Sequence, residues 1–272
     1  MTGNGVQPAL EPELGSALRS FADHRTVLVA LDFDGVMAPL VDRAEDARPL
    51  PENAHALASL TGLAGVHTAL VSGRALESLT AVAAPPAATL LIGSHGAERR
   101  LGPDAPPLTL TPSQQAALAA AERTLESLSA TVPGSWVEHK PAGRVLHVRQ
   151  VSDPAQARDV VGTAETALTT LAGEHPEITV GHGKAVLETS VVGADKGQGL
   201  ELLRQTTGAD AVLFAGDDVT DEAGFARLRP GVDVGIKVGQ GPTAAPFRIA
   251  GPQALAGVLQ AVAQWRARAC AR

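Results

Sequence analysis

Apolar residues along this chain gather in short uninterrupted runs. Thr26-Val27-Leu28-Val29-Ala30-Leu31, His67-Thr68-Ala69-Leu70-Val71 and Ala211-Val212-Leu213-Phe214 each give way to small, polar or acidic residues. Runs of that length and ending predict strands buried on both faces, as in a parallel sheet. Strands are expected at 26–32, 67–71, 89–93, 211–216 and 232–237. Helices are expected near 13–22, 52–64, 75–82, 196–207 and 253–268, with a further helix starting near 219. Strands alternating with helices of this length predict an α/β fold with right-handed crossovers.

The pattern changes after Gly102-Pro103-Asp104-Ala105-Pro106-Pro107, a breaker-rich linker. Thr111-Pro112-Ser113-Gln114 reads as an N-cap, an N1 proline and a capping-box glutamine, opening a helix to about 129. Strands near 135–140 and 144–151 flank Pro141-Ala142-Gly143; a helix near 154–172 and strands near 177–181 and 184–189 follow. This αββαββ order predicts a small α+β unit inserted into the first, giving domains at 1–107, 108–190 and 191–272, the first and last forming one core. Strand alternation puts Trp136, Glu138 and Lys140 on one face, and Lys184, Val186 and Glu188 on one face of another strand. On that pattern alone, a solvated face of an antiparallel sheet is the better reading of both.

The 272 residues suit two domains, and 44 % hydrophobic content is enough for a core. Aromatic content is 3 % with no Tyr, so Ala, Val and Leu must fill the interior. A net charge of −7 and the absence of a basic stripe argue against a nucleic-acid partner. The late basic cluster Arg266, Arg268 and Arg272 suits a helix carboxyl end. The single cysteine, Cys270, forms no intrachain disulfide. No basic start with an apolar core marks a secretory signal, and no apolar run suits a membrane span, so a cytoplasmic setting is expected.

The candidate chemistry lies at the strand ends. Asp32-Phe33-Asp34-Gly35 closes the first strand, and in open α/β sheets ligands bind beyond the carboxyl ends of strands. Two carboxylates buried there need a cation or hydrogen-bond donors, although a solvated Asp-rich turn has the same sequence. Ser72-Gly73-Arg74 ends the second strand, and Asp195-Lys196-Gly197 opens a helix with a lysine that opposes the dipole, which hints at a bound anion. Gly216-Asp217-Asp218-Val219-Thr220-Asp221-Glu222 places four acids within six residues at another strand end. A hard divalent cation with oxygen ligands is the economical reason.

In this order, Asp-x-Asp-Gly, Ser-Gly-Arg, Asp-Lys-Gly and Gly-Asp-Asp-x-Thr-Asp-Glu resemble the haloacid dehalogenase (HAD) superfamily of phosphotransferases. Gly93-Ser94-His95-Gly96-Ala97-Glu98, Glu138-His139-Lys140 and Gly183-Lys184-x-Val186-x-Glu188 resemble the trehalose-6-phosphate phosphatase family. The resemblance covers about 26–265 and implies a HAD-like Rossmannoid parallel-sheet core with an α+β cap. The chain departs from the family at Thr189-Ser190, where Arg or Val and then Pro are common, and at Val148, where an aromatic is common.

Phosphate monoesters resist hydrolysis, and a carboxylate nucleophile splits the hard step in two. Asp32 is expected to form an aspartyl-phosphate, with Asp34 as general acid and then base, as the resemblance also implies. Mg2+ would be held by Asp32 and Asp217, with Asp218 and Asp221 nearby; the resemblance adds the backbone carbonyl of Asp34. Asp218 is equally suited to a helix N-terminus. Ser72 and Lys196 would hold the phosphoryl oxygens. Arg74, His95, Gly96 and Glu98 on the core, with Glu138, Lys140, Glu188 and Lys184 on the cap, are the expected sugar-binding residues of a small sugar-phosphate substrate. The competing readings are a phosphatase for sucrose phosphate or mannosyl-3-phosphoglycerate, a phosphomutase, and a non-catalytic sugar-phosphate sensor. A trehalose-6-phosphate synthase partner is left open.

Overall fold

In the computed structural model, residues 10–102, 108–183 and 185–270 are described. Most of the Gly/Asn/Pro-rich start, linker residues 103–107, Lys184 and Arg272 lie outside them. The chain divides into two compact units, Met1–Pro106 with Asp195–Arg272, and Pro107–Ala194.

The first half of the larger unit contains α1 (Pro12–Asp23), β1 (Val27–Leu31), α2 (Pro51–Thr61), β2 (Val66–Val71), α3 (Leu76–Ala83), β3 (Leu90–Gly93) and β4 (Glu98–Arg100). The smaller unit follows with α4 (Pro112–Ser129), β5 (Trp136–Lys140), β6 (Gly143–His147), α5 (Pro154–Glu174), β7 (Thr179–Gly183) and β8 (Val186–Ser190). The larger unit is completed by α6 (Lys196–Thr207), β9 (Ala211–Gly216), α7 (Glu222–Phe225), β10 (Val234–Val238), β11 (Phe247–Ile249) and α8 (Leu255–Cys270).

Its seven-stranded sheet runs β11-β10-β9-β1-β2-β3-β4, and every pairing is parallel except β3 with β4. All five β1 residues are buried, and alternate ones serve opposite layers. Val27, Val29 and Leu31 meet Leu18, Phe21, Leu57 and Leu259 of α1, α2 and α8; Leu28 and Ala30 meet Leu200 and Leu203 of α6. Successive strands move outward from β1 in one direction and from β9 in the other. The carboxyl ends of these two neighbours therefore form the switch point where a crevice opens in such sheets.

In the smaller unit α4 and α5 cover one face of an antiparallel sheet ordered β5-β6-β8-β7. Leu118, Leu125, Val160 and Leu168 close on Leu146 and Leu187. The capping box is formed: Thr111 accepts from the Gln114 amide, and Gln114 accepts from the Thr111 amide. Among the described residues no helix is long and apolar enough to cross a membrane.

Several elements differ from the sequence expectation. β4 and β11, three residues each, carry too little periodicity to be seen. β6 ends at His147, well short of 151, because the chain turns at Val148–Val151. The expected helix near 219 is a 3-10 turn over Val219–Asp221 followed by one α turn.

Candidate active site

Asp32 directly follows β1, and its amide donates to Ala215 O of β9 at 2.9 Å, continuing the parallel ladder to the sheet edge. Its Oδ1 accepts from the Phe33 amide at 2.6 Å, and Oδ2 from Lys196 Nζ at 2.7 Å. Lys196, the first residue of α6, also donates to Asp221 Oδ1 at 2.7 Å. The unfavourable charge at a helix N-terminus is therefore answered by two carboxylates. Asp32, Lys196 and Asp221 are all buried.

Asp217 follows β9, next to Asp32 across the switch point, and its carboxylate lies against Gly35. Gly35 has φ +75°, and a Cβ there would meet Asp217 Oδ2 at 2.0 Å. Glycine is required on both counts. Asp221 does not share a helical face with Asp217, because no helix has begun at 217. The 3-10 turn instead folds Asp221 inward, where Oδ2 accepts from the Asp218 amide at 2.9 Å. Asp218 turns its own carboxylate to the Val219 amide at 2.7 Å.

Three carboxylates, Asp32, Asp217 and Asp221, thus converge with their oxygens within 4.8 Å of one another. Lys196 is the one ammonium in contact with them among the described residues. The electrostatics record the imbalance. Burial, followed by Asp221, raises Asp217 to about 6. Asp32 is raised well above the usual carboxylate range, chiefly by burial, with Lys196 opposing. Burial pulls Lys196 down, but Asp32 and Asp221 outweigh it and hold the ammonium firmly protonated. An all-oxygen donor set short of positive charge fits a hard divalent cation such as Mg2+.

Asp34 is gripped by Arg74, with Nε to Oδ2 at 2.6 Å and Nη2 to Oδ1 at 2.7 Å. Arg74 also donates to Ala44 O at 2.9 Å and crosses the Phe33 ring. Ser72 directly follows β2 and is buried, with Oγ accepting from the Arg74 amide at 3.2 Å. His95, at φ +55°, lays its ring over Gly73, where a Cβ would meet Cε1 at 2.4 Å. Gly96 follows at φ +119°. Glu98 is buried, and its Oε2 accepts from Ser94 Oγ at 2.6 Å and the Leu76 amide at 3.3 Å, contacts that tie the turn after β3 to α3.

In the smaller unit, strand register places Glu138, Val145 and Glu188 in one row, flanked by Trp136, His147 and Val186 and by Lys140, Gly143 and Ser190. Lys140 Nζ donates to Glu188 Oε1 at 2.7 Å, and His147 Nε2 to Glu138 Oε2 at 2.9 Å. The His147 hydrogen bond lowers the Glu138 carboxyl below its ordinary range. Trp136 stacks on His147 with ring centroids 4.0 Å apart.

Sequence reasoning missed Lys237 of β10. It is buried, and its Nζ donates to Asp217 O at 2.7 Å. A lysine inside Val-Gly-Ile-Lys-Val was the available signal, because a strand buried on both faces has no ordinary use for a charge.

A parallel sheet with paired acids at its switch point, and the four motifs in this order, define a HAD-like α/β protein. The chain belongs to the trehalose-phosphatase family, whose profile matches residues 30–253. It is 34 % identical over 263 residues to a trehalose-phosphate phosphatase of Mycobacterium avium, an alignment covering 89 % of this chain and 64 % of that protein. It therefore spans just under two thirds of the length of that relative. It is 30 % identical over 223 residues to a trehalose-6-phosphate phosphatase of Escherichia coli, covering 81 % and 80 %. The fold is that of the C-terminal domain of trehalose-6-phosphate phosphatase from C. albicans, with a TM-score of 0.77 at 21 % identity over 95 % of this chain and 99 % of that one.

Proposed function

We propose that this protein hydrolyses trehalose 6-phosphate to trehalose and phosphate through an aspartyl-phosphate intermediate. The observation that carries the chemistry is the buried Asp32–Lys196–Asp221 chain beside Asp217 at the switch point. Family membership carries the choice of substrate.

Asp32 attacks phosphorus, and the bond from phosphorus to the sugar oxygen breaks. Asp34 supplies the proton that the departing oxygen takes up. Asp34 then removes a proton from water; the water oxygen bonds to phosphorus, the acyl-phosphate bond breaks, and Asp32 is regenerated. Arg74 donates to both Asp34 carboxyl oxygens, so the acid step requires Arg74 to let go. The arriving phosphate is a competing partner for a guanidinium. Lys196 keeps the Asp32 carboxylate oriented and offsets the charge that the phosphate brings. Asp32, Asp217 and the Asp34 carbonyl would hold the Mg2+, which would supply further charge neutralisation when bound. Asp221 supports the site through Lys196, and Asp218 through its turn.

Glu138, Lys140 and Glu188, with Lys184, bind sugar hydroxyls, and His95 and Gly96 meet the substrate on the core side. The polar row on the sheet face supports this reading: it gathers two acids and a lysine opposite the helix-covered face. A site of this kind rejects sugars that leave its buried polar groups unpaired. The test is phosphate release from trehalose 6-phosphate against sucrose 6-phosphate and glucose 6-phosphate. Even turnover of all three would remove the sugar assignment and leave the chemistry.

A further inference from the structure

Lys237 is an anomaly in the larger unit. It sits at the carboxyl end of β10, opposite Gly216 on β9, with its side chain 4 % exposed. A buried ammonium is costly unless paired, yet the nearest carboxylate, Glu222, is 4.0 Å away. Its hydrogen bonds go to two main-chain carbonyls, Asp217 O at 2.7 Å and Asp218 O at 3.4 Å. Glu222 is engaged elsewhere through Oε2, which accepts from the Ala244 amide at 2.8 Å. The charge is therefore spent on the backbone of the acidic loop itself. Methionine or leucine would fill the same space without the desolvation cost.

The loop between Gly216 and Val219 has little regular structure to hold it, since Asp218 is extended and the 3-10 turn starts only at Val219. Two contacts fix Asp217 in that loop. Lys237 takes its carbonyl, and the bare backbone of Gly35 receives its carboxylate.

We infer that Lys237 is a positioning residue for the divalent cation: it sets metal affinity by fixing the Asp217 backbone, and it touches neither substrate nor reacting atoms. The inference concerns metal binding and rests on the acidic site proposed above, not on the identity of the sugar. Residues that orient metal ligands typically govern affinity by 10- to 100-fold.

The experiment is Mn2+ binding to the full chain by calorimetry and electron paramagnetic resonance, without substrate, for wild type, Lys237→Met and Lys237→Gln. Melting curves in EDTA identify the folded variants. The dissociation constant is expected to rise roughly 10- to 100-fold in a folded variant. In activity assays the Mg2+ half-saturation should rise in parallel, while kcat at saturating Mg2+ recovers most of its wild-type value. Wild-type Mn2+ affinity in a folded variant overturns the inference. So does a kcat that stays collapsed at saturating metal, which would make Lys237 part of the chemistry. If neither variant folds, Lys237 is a fold residue and the inference fails. A wild type that binds no Mn2+ sinks the metal site itself, whichever sugar phosphate is hydrolysed.

Discussion

Replacing Asp217 by asparagine should make the metal-free protein more stable. The side chain keeps its size and a carbonyl oxygen but loses its charge. In the folded protein burial and Asp221 raise the Asp217 carboxyl from 3.8 to about 6. The folded value lies above the unfolded one, so ionising Asp217 costs the folded state. The cost is absent below about pH 4 and fully present above about pH 6. Taken whole, such a displacement is worth ~3 kcal/mol. Asp217 is partly open to solvent, which screens it and leaves ~1–2 kcal/mol. In EDTA at pH 7.5, Asp217→Asn should therefore melt roughly 2–6 °C above wild type, and the gap should close by pH 4. In Mg2+ the order should reverse, since a ligand at 100 times its dissociation constant stabilises by about 2.7 kcal/mol. Thermal melts at pH 4, 6 and 7.5, in EDTA and in Mg2+, make the measurement. An Asp217→Asn protein less stable than wild type in EDTA at pH 7.5 would refute the claim that the acidic cluster lacks positive charge.

Three further outcomes are expected. Protons compete with Mg2+ at Asp217, so apparent Mg2+ affinity should fall as the pH drops through about 6; calorimetric titration from pH 5 to 7.5 checks this, and a constant affinity would contradict it. Gly35→Ala should weaken Mg2+ binding at least ~10-fold, because its Cβ would occupy the place of Asp217 Oδ2; unchanged binding would show that the loop yields freely. Lys140→Ala and Glu188→Ala should raise KM for trehalose 6-phosphate with a smaller change in hydrolysis of p-nitrophenyl phosphate, and equal losses on both substrates would remove these residues from sugar binding.

Much of the fold could be read from the chain because buried parallel strands have a plain signature. Val27–Leu31 and Ala211–Gly216 are apolar throughout, and each ends on the acids that matter. Thr111 and Gln114 announced their helix through local chemistry that needs no tertiary context. What stayed hidden depends on long-range partners. Nothing local tells that Asp221 turns inward to a lysine 25 positions earlier, or that Arg74 closes on an aspartate 40 positions before it. β11 is an edge strand of three residues, too short for a period to register. Lys237 was the one hidden residue with a local clue, a charge inside an apolar strand, and its meaning became clear only with the Asp217 carbonyl beside it.

The most direct test of the whole account is phosphate release from trehalose 6-phosphate by wild type and Asp32→Asn, each with Mg2+ and with EDTA. The account predicts turnover by wild type in Mg2+ alone, and loss of at least ~1,000-fold in Asp32→Asn while the variant stays folded, the scale expected when a covalent nucleophile is removed. Sustained turnover by a folded Asp32→Asn protein would contradict the aspartyl-phosphate route, and wild type inactive in Mg2+ would contradict the assigned reaction.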